Sequence, residues 1–459
     1  MLALADAPAR FPRNRTALVH GDTRWTFGNL EERAAAWAAT LVARGVEADD
    51  LVAFALPNGP EFIALTFGIY KAGATPAPLS VKLPPVELRA ILNVMRPRLF
   101  IAADETPLTQ PRQADLRRVA ASWKACTSGG STGTPKVIVD GRPACFAEGM
   151  EFIGIPAAEP VLVPGPLYHN ASFSAGVFAL WRGCTVVTME RFGAQEALAL
   201  IAAERVTWAL MVPTMMHRIL ALPLAVRDAF DMSSWKMVVH TAAPMAAWLK
   251  RSWIDWRGAD HIWEVYGATE GLVRCWIGGR EWLDRPGSVG RPLGGARLRV
   301  LDDDRYDLPA GVIGEIFAMP PGGPGSTYRY IGAERRTTAD GWESVGDCGH
   351  LDQDGYLFLA DRRNDLIISG GINIWPAEIE AALLRHPAVR SCAVHGRSDS
   401  DLGQSVHAVI ESDSAITLDE LREFLSTELV PAKWPRSIEL RRDQVRDDAG
   451  KFRKTGSKA

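Results

Sequence analysis

At 459 residues the chain is too long for one ordinary hydrophobic core, so two or three domains are expected. It is 47% hydrophobic and 23% charged, as globular proteins are, and its net charge of −3 lacks the basic excess that nucleic-acid binding requires. Six scattered cysteines with no C-x-x-C pair, no apolar run of the ~18 residues a membrane span needs, and too short an N-terminal apolar run for a signal peptide point away from a disulfide framework, a zinc site and a membrane protein, and toward a reducing cytoplasm.

The first half alternates helix and strand patterns. Leu30, Ala34, Trp37, Ala38, Leu41 and Val42 recur at helical spacing, with Gly45 as the stop. "DLVAFAL" (50–56) reads as a buried strand, and 59–73 as a helix with Pro in its first turn and Gly after its last. "ATPAPL", "PPVELRAILNVM" and "RLFIAA" continue as strand, helix and strand, and the rhythm runs to about residue 235, with "TVVTM", "VTWALMV" and "KMVVHTA" as further strands. That rhythm predicts a layered α/β body with a largely parallel sheet. From about 285 the chain turns Gly-rich with short β-like runs, as in a small barrel or distorted sheet. After the charged stretch Asp361–Asp365 comes a compact tail of helix, two strands, helix and strand. We therefore expect an N-terminal domain over 1–361 and a small α+β domain over 362–459, with a polar C-terminal end.

"CTSGGSTGTPKV" (126–137) suits neither a core nor a helix. Its backbone N–H groups can converge on an anion, its Ser and Thr hydroxyls add donors, and Lys136 adds a charge. It is not a Walker A loop, because G-x-x-x-x-G-K-[ST] cannot be read from it. A flexible linker is one alternative. Another is a nucleophile elbow, since Gly129 to Gly133 spells G-x-S-x-G with Ser131 as nucleophile of a serine hydrolase, although Pro135 interrupts the helix that should follow.

In order along the chain stand this loop, "VYGATEG" (265–271), "GDCGHLDQDGYLFLADRRND" (346–365), "SGGINIWPAEIE" (369–380) and a near-terminal "GK" (450–451). Together they resemble the motif series of the adenylate-forming superfamily of acyl-CoA synthetases, aryl-CoA ligases, luciferases and peptide-synthetase adenylation domains. The likeness spans nearly the whole chain and is greatest to carboxylic acid–CoA ligases. It implies two steps: a carboxylate attacks the α-phosphate of ATP, and a thiol, that of coenzyme A or alternatively of a carrier protein, then displaces AMP. Both steps depend on alignment and charge neutralisation more than on a protein nucleophile.

The resemblance implies that Thr127, Ser128, Gly129, Gly130, Ser131, Thr132, Gly133 and Lys136 cradle the phosphates, with Gly129 where many relatives carry a hydroxyl. Tyr266 is expected on adenine, which Ala242 and Ala243 flank; Thr269 on the α-phosphate; Glu270 on Mg²⁺; Asp347 on the ribose, assisted by Arg362. Lys451 is expected to be the catalytic lysine of adenylation, with Lys454 and Lys458 as neighbours. Asn364 takes the hinge position for a rotation of the small domain between steps, and Gly371 the coenzyme A path. His169 in "PLYHNASF" resembles the gate between nucleotide and acyl pockets. The residues also have plainer readings: a helix cap for 268–271, a turn for Asp347, a solvated charge for Arg362 and the C-terminal lysines, and packing for His169 and His217. Met211, Met215 and Met216 read as core or as adaptable pocket walls. Pocket walls are expected from 166–176, 210–217, 240–245 and 264–272, where no basic residue clearly marks a second carboxylate, so an apolar aryl, alicyclic or fatty acid is the expected substrate. Nothing in the sequence indicates the oligomeric state.

Overall fold

A computed structural model describes residues 1–107, 119–127, 135–447 and 450–452, and of Arg362 and Asn364 the backbone alone. The first helix, Phe27–Ala43, begins at a reciprocal cap: Thr26 Oγ1 accepts from the Asn29 N–H, and Asn29 Oδ1 accepts from the Thr26 N–H. Two donors that the helix cannot satisfy internally are thereby paired. Gly45 follows at φ +82°, the left-handed conformation that ends helices. Helix Pro60–Lys71 has Pro in its first turn, and strands Leu51–Phe54, Thr75–Pro78 and Leu99–Ile101 form a separate parallel sheet with Leu51–Phe54 central.

The largest sheet joins 15 strands. Six are parallel, in the spatial order Thr16–His20, Thr185–Thr188, Pro160–Val163, Trp208–Met211, Met237–His240, Ile262–Gly267. They read as continuous apolar runs because both faces are covered. Val161, Val163, Leu210 and Val239 pack on the side of helix Asn170–Trp181, while Leu162, Ala209, Met211 and Val238 pack on the side of helices Pro213–Leu220 and Ala247–Arg257.

After Ile262–Gly267 the same sheet continues in antiparallel sense through Arg274–Gly278, Ser288–Pro292, Leu357–Arg362, Asp347–Leu351 and Gly314–Met319. The barrel-like expectation for the Gly-rich part is corrected here: among the described residues the ladder stays open, because its first strand is hydrogen-bonded to the parallel body and not to its own last strand.

Strand Leu357–Arg362 belongs to this sheet; after a single turn at Arg363–Asp365, strand Ile367–Ser369 belongs to a smaller one. There Gly403–Glu411 pairs with Ser391–Asp399, Ser437–Arg441 and Ile367–Ser369 around a core of Ile367, Ile379, Leu383, Ile410 and Leu421. Helix Leu418–Leu425 has its own reciprocal cap from Thr417 and Glu420. No helix among the described residues is long and apolar enough to cross a membrane.

Candidate active site

In open α/β sheets, ligands bind outside the carboxyl ends of the parallel strands. At that edge here lies a narrow cleft lined by Gly165, His169, Ser172, Met211, Val212 and Thr241. Met211 and Met215 border it while Met216 is wholly core, so both readings of the methionines apply, residue by residue.

Thr127 ends strand Ala125–Thr127, which pairs antiparallel with Val137–Asp140 through Thr127 and Val137. Ser128, Gly129, Gly130, Ser131, Thr132 and Gly133 lie outside the described residues. Their flanks still decide against the nucleophile elbow, which demands a helix directly after the serine: here a strand follows.

Lys136 Nζ lies 3.3 Å from Glu270 Oε1 and donates to the Tyr330 phenol at 2.9 Å, and the phenol donates to Glu270 Oε1 at 2.6 Å. Glu270 is 5% exposed. Burial and the Glu270 charge push the Tyr330 phenol far up, so it stays a donor. Glu270 Oε2 accepts no hydrogen bond among the described residues. A nearly buried carboxylate with one oxygen left over fits Mg²⁺, which is commonly held by one or two carboxylates plus phosphates; no cluster of three or more His, Cys, Asp or Glu occurs among the described residues to hold a metal by itself.

Thr269 sits beside Glu270 in the turn Ala268–Gly271, closed by the Gly271 N–H donating to the Ala268 C=O at 3.0 Å. No helix starts there, which removes the cap reading. Tyr266 donates through its phenol to Asp347 Oδ2 at 2.8 Å, aligning that carboxylate. The ladder sets Arg362 directly opposite Asp347, and Asn364 lies in the turn between the two sheets. Ala242, exposed at the cleft mouth, has φ +75°, a left-handed conformation costly for any residue with a β-carbon. Gly371, at φ +81°, lies in the hairpin turn of the small domain and faces open space.

The C-terminal segment reaches the same cleft. A β-carbon on Gly450 would lie 3.6 Å from Thr214 Oγ1 and 3.8 Å from Val212. The Lys451 N–H donates to Asp447 Oδ1 at 2.9 Å, and Arg446 anchors the segment to Glu380 at 2.6 Å and to the Cys392 C=O at 2.8 Å. The His169 imidazole is pushed down to about 3, chiefly by burial, with the Lys451 charge adding to it. Its folded value thus lies below the unfolded value near 6.5. The stability gained by keeping it neutral is complete above about pH 6.5 and is lost as pH falls toward 3. A His169→Gln variant is therefore expected to show a flatter Tm between pH 6.5 and 4 than the parent; parallel thermal melts across that range check it. His217 packs edge-on to Trp248, as its packing reading required.

Three groups escaped the sequence reading. Tyr330 has no motif around it. Beside the segment expected to flank adenine, Lys250 Nζ donates to Glu264 Oε2 at 2.5 Å, with His240 Nε2 3.6 Å from the same oxygen, and all three side chains are buried. Lys124, 4% exposed, sits immediately before the strand that leads into the loop. Only this last left a trace, a lysine in an otherwise apolar run.

A family model described as AMP-binding enzyme matches residues 4–127 and 124–323, and one described as AMP-binding enzyme C-terminal domain matches 378–451. The chain is 32% identical over 464 residues to feruloyl-CoA synthase of Amycolatopsis sp, covering 94% of this chain and 93% of that one. It is 29% identical over 468 residues to 2-succinylbenzoate–CoA ligase of Bacillus pumilus, covering 96% and 94%. Its fold matches that of o-succinylbenzoate CoA synthetase from Bacillus subtilis, solved with its acyl-adenylate, at a TM-score of 0.82 and 24% identity over 98% of this chain and 97% of that one. The chain belongs to the AMP-binding enzymes, the adenylate-forming superfamily of AMP-forming ligases.

Proposed function

We propose that the protein is an ATP-dependent carboxylic acid–CoA ligase acting on an acid with an apolar aryl, alicyclic or fatty body. The observation that carries this reading is convergence: Lys136, Glu270 and Tyr330 form one cluster, Tyr266 and Asp347 a second, and the Gly450–Lys451 segment reaches the cleft between the expected nucleotide and acyl sites. Named relatives that activate feruloyl and 2-succinylbenzoate groups support the same reaction class.

In this reading the substrate carboxylate oxygen forms a bond to the α-phosphorus as the bond to pyrophosphate breaks. Thr127, the Ser128–Gly133 loop and Lys136 hold the β- and γ-phosphates; Thr269 orients the α-phosphate. Bound Mg²⁺ supplies neutralisation of charge on the phosphate oxygens. Glu270 is the carboxylate that would hold it, and Lys136 with Tyr330 keeps that carboxylate aimed. Tyr266 covers adenine while its phenol fixes Asp347 toward the ribose, with Arg362 opposite. Ala242 and Ala243 border the base. Lys451 places an ammonium where negative charge grows. His169, neutral at physiological pH, separates nucleotide from acyl chain without adding charge to either. The coenzyme A thiol then attacks the acyl carbon and AMP leaves, after a rotation about Asn364 that exposes the path past Gly371; the division into 1–361 and 362–459 follows from that hinge.

Pyrophosphate release from ATP across a panel of aryl, alicyclic and fatty acids, with and without coenzyme A, tests the reading. Acid-dependent pyrophosphate and CoA-dependent AMP are expected. Adenylation with no use of free coenzyme A would shift the acceptor to a carrier-protein thiol. Ester hydrolysis without ATP would overturn the ligase.

A further inference from the structure

Arg274 opens strand Arg274–Gly278, and the antiparallel ladder pairs it with Gly267, the residue after Tyr266. It therefore starts at the same sheet edge as the cleft. Side chains alternate across a strand, so Arg274 lies on the face of Val265 and Trp276, opposite Tyr266 and Cys275. Helix Asn170–Trp181, which His169 leads into, covers that same face. A β-carbon on Gly267 would lie 2.9 Å from the Val273 carbonyl oxygen and 3.4 Å from Arg274 Cγ, so the bare glycine is what lets the arginine stem pass.

The guanidinium carbon lies 5.4 Å from the centre of the Phe152 ring, and the group makes no hydrogen bond or ion pair among the described residues. Its surroundings are short of negative charge. Asp140, 5% exposed, is taken by Arg142 in a fork, Nε to Oδ1 at 2.9 Å and Nη2 to Oδ2 at 2.8 Å. The buried Lys124 Nζ stands 3.9 Å from the same carboxylate and donates to Asn170 Oδ1 and to Ser174 Oγ, both on the covering helix. Three cations thus share one carboxylate. Burial and then the Arg142 charge push the Arg274 guanidinium down, and Asp140 only partly opposes them. A half-buried cation on an aromatic face, repelled by its neighbours and lacking an acceptor among the described residues, is a site waiting for an anion.

We propose that Arg274 binds a second carboxylate on the acid substrate, so that the protein activates one carboxyl group of a dicarboxylic acid whose apolar spacer lies along Gly267 and Phe152. The inference rests on the ligase reading above. A carboxylate matches the planar fork of a guanidinium in two parallel hydrogen bonds, which neither a hydroxyl nor an alkyl end can do. The adenylated carboxyl faces Lys451 and His169, and the distal one neutralises the excess charge around Asp140.

The test compares size-matched pairs of acids, each a dicarboxylate and its methyl-terminated monocarboxylate, by pyrophosphate release. The parent protein is expected to prefer the diacids by about 100-fold in kcat/KM, since buried polar groups left unpaired discriminate strongly. Arg274→Met, which keeps an apolar stem, is expected to lose most of that ratio, and Arg274→Lys to retain part of it. If the parent turns over monoacids as well as or better than diacids, the proposal fails while the ligase reading stands. If no acid drives pyrophosphate release, the ligase reading fails and takes the proposal with it. A diacid preference that survives in Arg274→Met also overturns it, and because the preference is read first in the parent, a variant that does not fold leaves the question decided by the parent alone.

Discussion

Lys451→Ala is expected to slow acid-dependent pyrophosphate release by about 10²–10³-fold, the usual loss when one charge-stabilising group is removed from a transition state. Lys451 lies on a segment whose backbone is tied to Asp447 through the Lys451 N–H, next to a Gly450 whose position would set a β-carbon beside Val212 and Thr214. Its ammonium is thereby delivered to the cleft by the small domain and not by the large one. The loss should fall on adenylation alone. When the acyl-adenylate is supplied ready-made, its conversion to the thioester by coenzyme A should proceed at close to the parent rate, because in the proposed mechanism that step follows a rotation that carries Lys451 away. Single-turnover measurement of each half-reaction separates them. Equal loss in both would mean that the lysine supports the fold of the tail and does not touch the reacting groups.

The second large effect is on stability. Glu264→Gln should destabilise the protein by about 3–5 kcal/mol, the cost of leaving a buried charge without its partner. Lys250 is 1% exposed, and burial already pulls its ammonium down, with Glu264 opposing that pull. His240, wholly buried and held neutral by burial and by the Lys250 charge, cannot replace the lost carboxylate. The urea midpoint reads the loss. A Lys250→Met/Glu264→Leu double variant should recover most of it, since apolar residues of similar volume often replace a buried pair at little cost. His240 and Glu264 sit on the strands that lead into Ala242 and Tyr266. A further expectation follows from that placement: Glu264→Gln should raise the KM for ATP more than that for the acid. Failure of the double variant to recover stability would show that shape, not charge, holds these strands.

Much of the architecture was legible because local signals agreed with one another. The spacing of Leu30, Ala34, Trp37 and Leu41, with Gly45 after, permits little else than the helix found at Phe27–Ala43. The apolar runs at 208–211 and 237–240 had to be strands covered on both faces. The Gly-rich part misled, because short β-like runs with frequent turns look alike whether their ladder closes or stays open. That choice depends on which edge the first strand finds, and here it finds the parallel body at Ile262–Gly267.

The candidate site divides along the same line. Lys136, Glu270, Tyr266, Asp347 and Lys451 could be named from sequence because each stands in a short motif that resembles one of the family's motif series, whose implied roles suit their residue types. Tyr330 could not, being a lone tyrosine that joins Lys136 and Glu270 only because strand Tyr328–Ile331 pairs with Val137–Asp140. Arg274 reads in the sequence as an ordinary charge two residues beyond the expected pocket wall. Only the register that sets it against Gly267, and the fork that withdraws Asp140 from it, leave it a cation without an acceptor among the described residues. Sequence by itself determined the chemistry that each segment can offer, because that depends on residue types close together in the chain. Tertiary structure decided which offers meet, because strand pairing and burial act between residues far apart in the chain and set both the distance and the dielectric in which charges act.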